Sequence, residues 1–204
     1  MSKYTLIFSR GFRSALIMGL SLVCGAALAH PGHMHNPVAN QLASGLLHPL
    51  TGVDHLLAML AVGMWAAMSQ RNLSQALWTP LSFASLLLVG ALAGMGGVRL
   101  PAVEPVIVTS LLVIGLLLAS HASLPKSLSA VLVGFFAVFH GLAHGSELPP
   151  GAGAATFVAG FMLSTLGLHA LGLTTGFLLK QRAAWLTRIA GAGVAAYGLA
   201  LLAA

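Results

Sequence analysis

Six stretches of this 204-residue chain each run apolar for the ~20 residues that a helix needs to cross the hydrocarbon of a bilayer, and they dictate the class of fold. They cover roughly residues 41–68, 75–95, 102–121, 127–147, 154–179 and 184–203. With 58% hydrophobic and 6% charged residues and a mean hydropathy of +0.95, the chain is too apolar for an ordinary soluble domain and too long for a single helical hairpin. The expected architecture is an all-α, polytopic membrane protein with six transmembrane helices, its partner being the lipid bilayer. A net charge of +6 might point to nucleic acid, but the basic residues are few and scattered among apolar runs, so no nucleic-acid partner is expected.

Residues 1–29 have the layout of a signal peptide: Lys3, Arg10 and Arg13, an apolar core from Ala15 to Val23, and Ala27-Leu28-Ala29, a small-x-small cleavage pattern. An uncleaved anchor helix is the competing reading; a lipoprotein site at Cys24 is disfavoured by the bulky Val23 before it. Cys24 is the single cysteine, so neither a disulfide framework nor a thiolate metal site is available. Cleavage would make His30 the first residue of a tail, 30–40, in which His30, His33 and His35 offer imidazoles for borderline divalent metals. A plain polar tail explains the same residues. The permease domain proper is expected over 41–204.

Between the spans, one set of loops holds Arg71, Lys126, Lys180, Arg182 and Arg188 and the other only Arg99. The positive-inside rule then puts the mature N-terminus and the C-terminus in the periplasm of a bacterial cytoplasmic (inner) membrane. Six spans divide into two sets of three, and three crossings invert the second set relative to the first. The chain therefore has the makings of an inverted 3+3 repeat, in which spans one and four correspond, although no sequence repeat is visible.

Spans one and four are also the two that carry polar clusters. Span one contains His48-Pro49-Leu50-Thr51-Gly52-Val53-Asp54-His55. An ionisable residue in hydrocarbon costs about 2.5 to 3.5 kcal/mol on insertion scales, so Asp54 between histidines demands a compensating partner, for which a cation is suited. Pro49 lacks a backbone donor and Gly52 is permissive, so the helix is expected to break here, where freed carbonyls can face a wet cavity. Span four ends Phe139-His140-Gly141-Leu142-Ala143-His144-Gly145-Ser146-Glu147. His140, His144 and Glu147 share one helix face and form a plausible chelate for zinc, nickel or cobalt. The alternative is a pair of core histidines bonded to backbone carbonyls, with Gly141 and Gly145 serving close helix packing.

The run HPLTGVDH at 48–55 resembles the HPxxGxDH motif, and FHGLAHGSE at 139–147 the FHGxAHGxE motif, of the HupE/UreJ family of small nickel or cobalt permeases. Every fixed position of both is present, and the likeness extends over most of the chain. The first run also looks like the HxxxxDH of the separate nickel/cobalt transporter family, but five residues rather than four separate His48 from Asp54. The resemblance implies secondary uptake of Ni2+ or Co2+ as transported substrate, with no permanently bound cofactor and no enzymatic activity. It also implies downstream supply of hydrogenase or urease, with metallochaperones of their maturation as candidate partners. The implied metal-ligating set is His48, Asp54, His55, His140, His144 and Glu147.

In span five, Thr165-Leu166-Gly167-Leu168-His169 looks like a third region of the same family, and His169 is either a third wall of the site, an exit ligand, or a histidine hydrogen-bonded between helices. His121 reads as a solvated loop histidine and Glu104 as an interfacial carboxylate or a cation attractor at the mouth. Trp65, Trp78 and Trp185 fall near span ends, as interfacial aromatics do. Two other functions compete for buried histidines beside an acid: an intramembrane zinc-dependent hydrolase, although HExxH and GxSxG are absent, and axial ligation of haem by His55, His140 or His169.

Overall fold

The computed structural model describes residues 37–148 and 153–203, with side chains from residue 40 onward. The expected signal peptide and His30, His33 and His35 lie outside the described residues. Every regular element among the described residues is helical. The helices are α1 (Pro37–Thr51), α2 (Val53–Ser69), the single turn α3 (Leu73–Ala76), α4 (Trp78–Met95), α5 (Val103–Ser120), α6 (Lys126–Glu147), α7 (Ala154–Arg182) and α8 (Ala184–Leu202). Five helical stretches are long and apolar enough to cross a membrane: α3 with α4, α5, α6, α7 and α8. The pair α1–α2 passes the same test only when taken together, and it is bent by 77° at its break. This is the broken first span. It starts at Pro37, about a turn before the expected Gln41, as suits a residue whose missing N–H would be an orphan in the first turn anyway.

Large apolar side chains such as Leu47, Val89, Leu116, Phe135, Leu163 and Ile189 stand half exposed around the bundle. In water so much apolar surface would drive association. Against acyl chains it is solvated, and the chain is a multi-pass membrane protein. Its interior is filled by Met59, Val62, Phe83, Leu87, Leu111 and Phe161.

Lipid offers helices little hydrophobic incentive to associate, so the bundle depends on close approach of backbones at small residues. Gly141 and Gly145 of α6 lie against the backbone of α4 at Leu87 and Ala91, while Gly90 and Gly94 of α4 return the contact to Val138 and Leu142. Gly63 and Gly172 do the same between α2 and α7, and Gly115 and Gly191 between α5 and α8. The main pairings are thus α4 with α6, α5 with α8, and α1 and α2 with α7. Exchanging span one with four, two with five and three with six carries this set onto itself.

One end of the bundle is closely tied. Lys180 Nζ donates to the carbonyls of Ala67 (2.9 Å) and Gln70 (2.7 Å), a cation at the negative end of the α2 dipole. Ser123 Oγ donates to Ser69 O (3.0 Å) and Gln70 Nε2 to Leu124 O (3.4 Å). Trp65, expected at the interface, is instead wholly buried and donates its indole N–H to Ala122 O at 2.9 Å. A span end that is strapped down by a loop satisfies an indole inside the protein as well as headgroups do. Trp78 and Trp185 are exposed, as expected. His121, expected to be a solvated loop residue, donates to Thr187 Oγ1 (2.7 Å), whose own hydroxyl donates to Ala184 O. Burial, with Arg188 and Lys180 nearby, lowers its pKa and favours that neutral donor.

Two outcomes test this packing. If the halves form an inverted repeat, spans one to three superpose on spans four to six after a two-fold rotation in the membrane plane. Gly115→Ala, whose Cβ would overlap the backbone nitrogen of Ala195, should destabilise the detergent-solubilised protein by ~1 to 3 kcal/mol. Gly193→Ala, where nothing lies within 4 Å, should leave its melting temperature unchanged or raised.

Candidate metal-ion site

Span one breaks at Gly52, which is extended (φ −86°, ψ 110°) between two helices. Pro49 stays inside the last turns of α1, where it cannot donate to the carbonyl four residues back. His48 therefore sits in the closing turn of α1, beside the negative end of that helix dipole. Asp54 sits in the first turn of α2, where the dipole favours a carboxylate. A Cβ on Gly52 would stand 3.1 Å from both Asp54 Oδ1 and His55 Nδ1. The absent side chain lets that pair fold back over the break.

Facing the break, α6 presents His140, His144 and Glu147, with Gly141 and Gly145 turned to α4. The histidine and glycine faces are adjacent, so the reading of these residues as a candidate chelate and the reading of the glycines as packing residues are compatible. His144 is the hub. Its Nδ1 lies 2.9 Å from His48 Nε2 and 3.9 Å from Glu147 Oε2, and its Nε2 lies 2.5 Å from His55 Nε2. His55 Nδ1 in turn lies 3.0 Å from Asp54 Oδ1. An ionised carboxylate only accepts, which fixes the direction of this chain for neutral imidazoles. His55 donates from Nδ1 to Asp54, His144 donates from Nε2 to His55, and His48 donates from Nε2 to His144.

One ligand atom each from His48, His144 and Glu147 all lie within 4.8 Å of one another. Nitrogens bound about 2.0 to 2.1 Å from a metal stand roughly 3 Å or a little more apart, so small side-chain movements would close this trio on an ion. Phe157 and Phe161 of α7 pack against His48, and Phe161 also against His144 (ring centroids 4.8 Å apart), walling the site with apolar rings. A cavity of about 330 Å³ opens beside it, lined by His48, Thr51, Gly52, Asp54, His55, Glu104, Ile107, Ala143, His144 and Glu147.

His140 lies one turn deeper, fully buried, its ring 5.0 Å from that of His55. Its Nε2 is 3.0 Å from Ser110 Oγ, and Ser110 donates its own hydrogen to Ile107 O at 2.6 Å. Ser110 must therefore accept, so His140 is protonated on Nε2 and its Nδ1 is a lone pair. No partner for that Nδ1 lies within hydrogen-bond distance among the described residues. A histidine whose tautomer is fixed by a neighbour and whose other nitrogen is free is prepared as a ligand.

The residues expected at the site from spans one and four thus come together. His169 does not join them: it is buried in α7 with its ring against that of Phe83, 5.1 Å away. Two further residues bear on the site. Glu104, for which an interfacial carboxylate and a cation attractor are the two readings, lines both this cavity and a neighbouring one of about 210 Å³ with Arg99 and Glu147. Ser110 carried no signal beyond being a hydroxyl in the middle of an apolar span.

A family model described as HupE / UreJ protein matches residues 18–201. The chain belongs to the HupE/UreJ family. The Protein HupE of Rhizobium leguminosarum bv. viciae is 40% identical over 182 residues, covering 87% of this chain and 94% of its own length. No solved structure matches.

Gly52→Ala tests whether the break positions the ligands. Nickel binding to the purified protein should weaken roughly tenfold, in the range that supporting residues of metal sites command, with helix content unchanged by circular dichroism.

Proposed function

We infer that this member of the family is a secondary permease that imports nickel or cobalt as a divalent ion across the cytoplasmic membrane. The observation that carries the reading is the meeting of the broken first span with the fourth: a chain of carboxylate and imidazoles, otherwise costly in hydrocarbon, facing a cavity that opens at one end. The tied end holds Arg71, Lys126, Lys180, Arg182 and Arg188, so the positive-inside rule supports placing it in the cytoplasm and the open cavity outside. Both mature termini are then periplasmic. His30, His33 and His35 would collect ions on the periplasmic side, and a metallochaperone of hydrogenase or urease maturation would receive them after import.

In this mechanism the ion sheds water into the cavity past Glu104 and Glu147, then takes imidazole nitrogens of His48 and His144, with Asp54 and His55 balancing its charge. An inside-negative potential contributes about 2.3 kcal/mol per charge per 100 mV, hence about 4.6 kcal/mol for a divalent ion, or roughly three decades of accumulation. Release inward requires the ties at Lys180, Gln70 and Trp65 to part. Membership in this family leaves the zinc-hydrolase reading without support.

The decisive experiment is radiolabelled nickel and cobalt uptake by cells expressing the protein, each ion also serving as competitor of the other. Alanine at His48, Asp54, His55 or His140 should reduce uptake at least tenfold at normal protein abundance. Wild-type uptake by such a variant would end the assignment. Lone pairs now engaged by neighbouring N–H groups become ligands only as protons leave or rings turn, so nickel binding should release protons, and acidification should weaken it. Calorimetry in buffers of different ionisation enthalpy measures the release.

A further inference from the structure

Beyond the His48–His144 site, a second set of buried polar atoms has no use in the mechanism above. His169 is 2% exposed and Thr165 fully buried, and the two lie one turn apart on the same face of α7. Among the described residues, neither ring nitrogen of His169 nor the hydroxyl of Thr165 has a hydrogen-bond partner. Thr165 does not even bond back to its own helix, as Thr174 on the same helix does to Ala170 O at 2.8 Å. A buried polar group left unpaired costs ~1 to 3 kcal/mol, so three such atoms together call for a ligand.

Their surroundings say which kind. The face of α7 that carries them also carries Phe161, one turn toward the open end, whose ring packs on His144. Phe83, buried in α4, touches both His169 (5.1 Å) and His140 (5.9 Å). Among the described residues the two imidazoles make no contact with each other. Phe83 is the ring they share, and the Nδ1 of His140 has no hydrogen-bond partner among the described residues. Neutral nitrogens with a hydroxyl, and no carboxylate bonded to them among the described residues, suit a borderline divalent cation held weakly and briefly.

We propose that His169 and Thr165 form a second station for the transported cation, deeper than the His48–His144 site, and that the ion passes to it from His140 when the Phe83 ring turns aside. The inference rests on the permease reading. A site without a carboxylate holds the ion less tightly than one with two, as an ion that must leave requires.

The test uses cobalt as probe and the full chain in detergent, with Cys24→Ser to remove the only native thiol. In that background His169→Cys should develop a thiolate-to-cobalt charge-transfer band on titration, and the parent should show none. A folded His169→Cys protein that binds cobalt but lacks the band would overturn the proposal. In cells, His169→Phe fills the same space without a ligand and should cut cobalt uptake at least tenfold, while cobalt binding to the purified variant stays within about twofold of the parent. Uptake equal to the parent's would reduce His169 to packing and overturn the station. Failure of the permease reading is separable: His144→Ala would then bind cobalt as well as the parent.

Discussion

A carboxylate and several imidazoles held among apolar helices must satisfy one another, because no water lies in the hydrocarbon to do it for them. The chain from Asp54 through His55 and His144 to His48 meets that demand, and its members come from two elements far apart in sequence. His48 donates at the head of the chain, His144 and His55 each accept one way and donate the other, and Asp54 at its end only accepts. Such a network holds together when empty, yet every bond in it uses a nitrogen that a cation can claim. In the proposed permease the same polar groups would serve the resting protein and its cargo in turn.

The backbone is arranged to bring those elements together. Gly52 interrupts span one where the positive end of one helix and the negative end of another meet, so Asp54 and His48 each occupy the terminus whose dipole favours their role. On α6 the period of the helix sets histidines and glycines on neighbouring faces. Gly141 and Gly145 allow α4 to press close, and that closeness fixes where His140 and His144 point. Packing and chemistry are coupled here through residue spacing, which is why an added methyl group at the α4–α6 contact would disturb both.

The two ends of the bundle differ in kind. The Glu147 end is loosely filled and lined with acids, and the Lys180 end is drawn together by hydrogen bonds to the carbonyls that terminate α2. Those carbonyls are helix-end groups that need a partner wherever water is scarce, and Lys180 and Ser123 from other elements supply it, while Gln70 at the helix end donates its side chain across to Leu124 O. Between the ends lies a column of apolar rings, Phe157, Phe161 and Phe83, spaced among the histidines. Aromatic rings exclude water and can turn, which would suit the proposed path for an ion.

Much of this could be read from the order of residues alone. Length and hydropathy require membrane helices, because only an apolar run of that length satisfies its backbone within itself across a bilayer. The two motifs name the candidate ligands by type, and Pro49 with Gly52 announces a break. What the order of residues could not convey is which groups meet across the bundle. Ser110 sets the tautomer of His140 from another helix, Glu104 reaches the cavity from the start of span three, and Trp65 is buried under a loop rather than resting at a headgroup. His169 carries a motif like those of the site, yet tertiary packing puts it beside Phe83 instead. Periodicity fixes the face of a helix, whereas the neighbour of that face depends on how whole helices pack, and that is decided only in three dimensions.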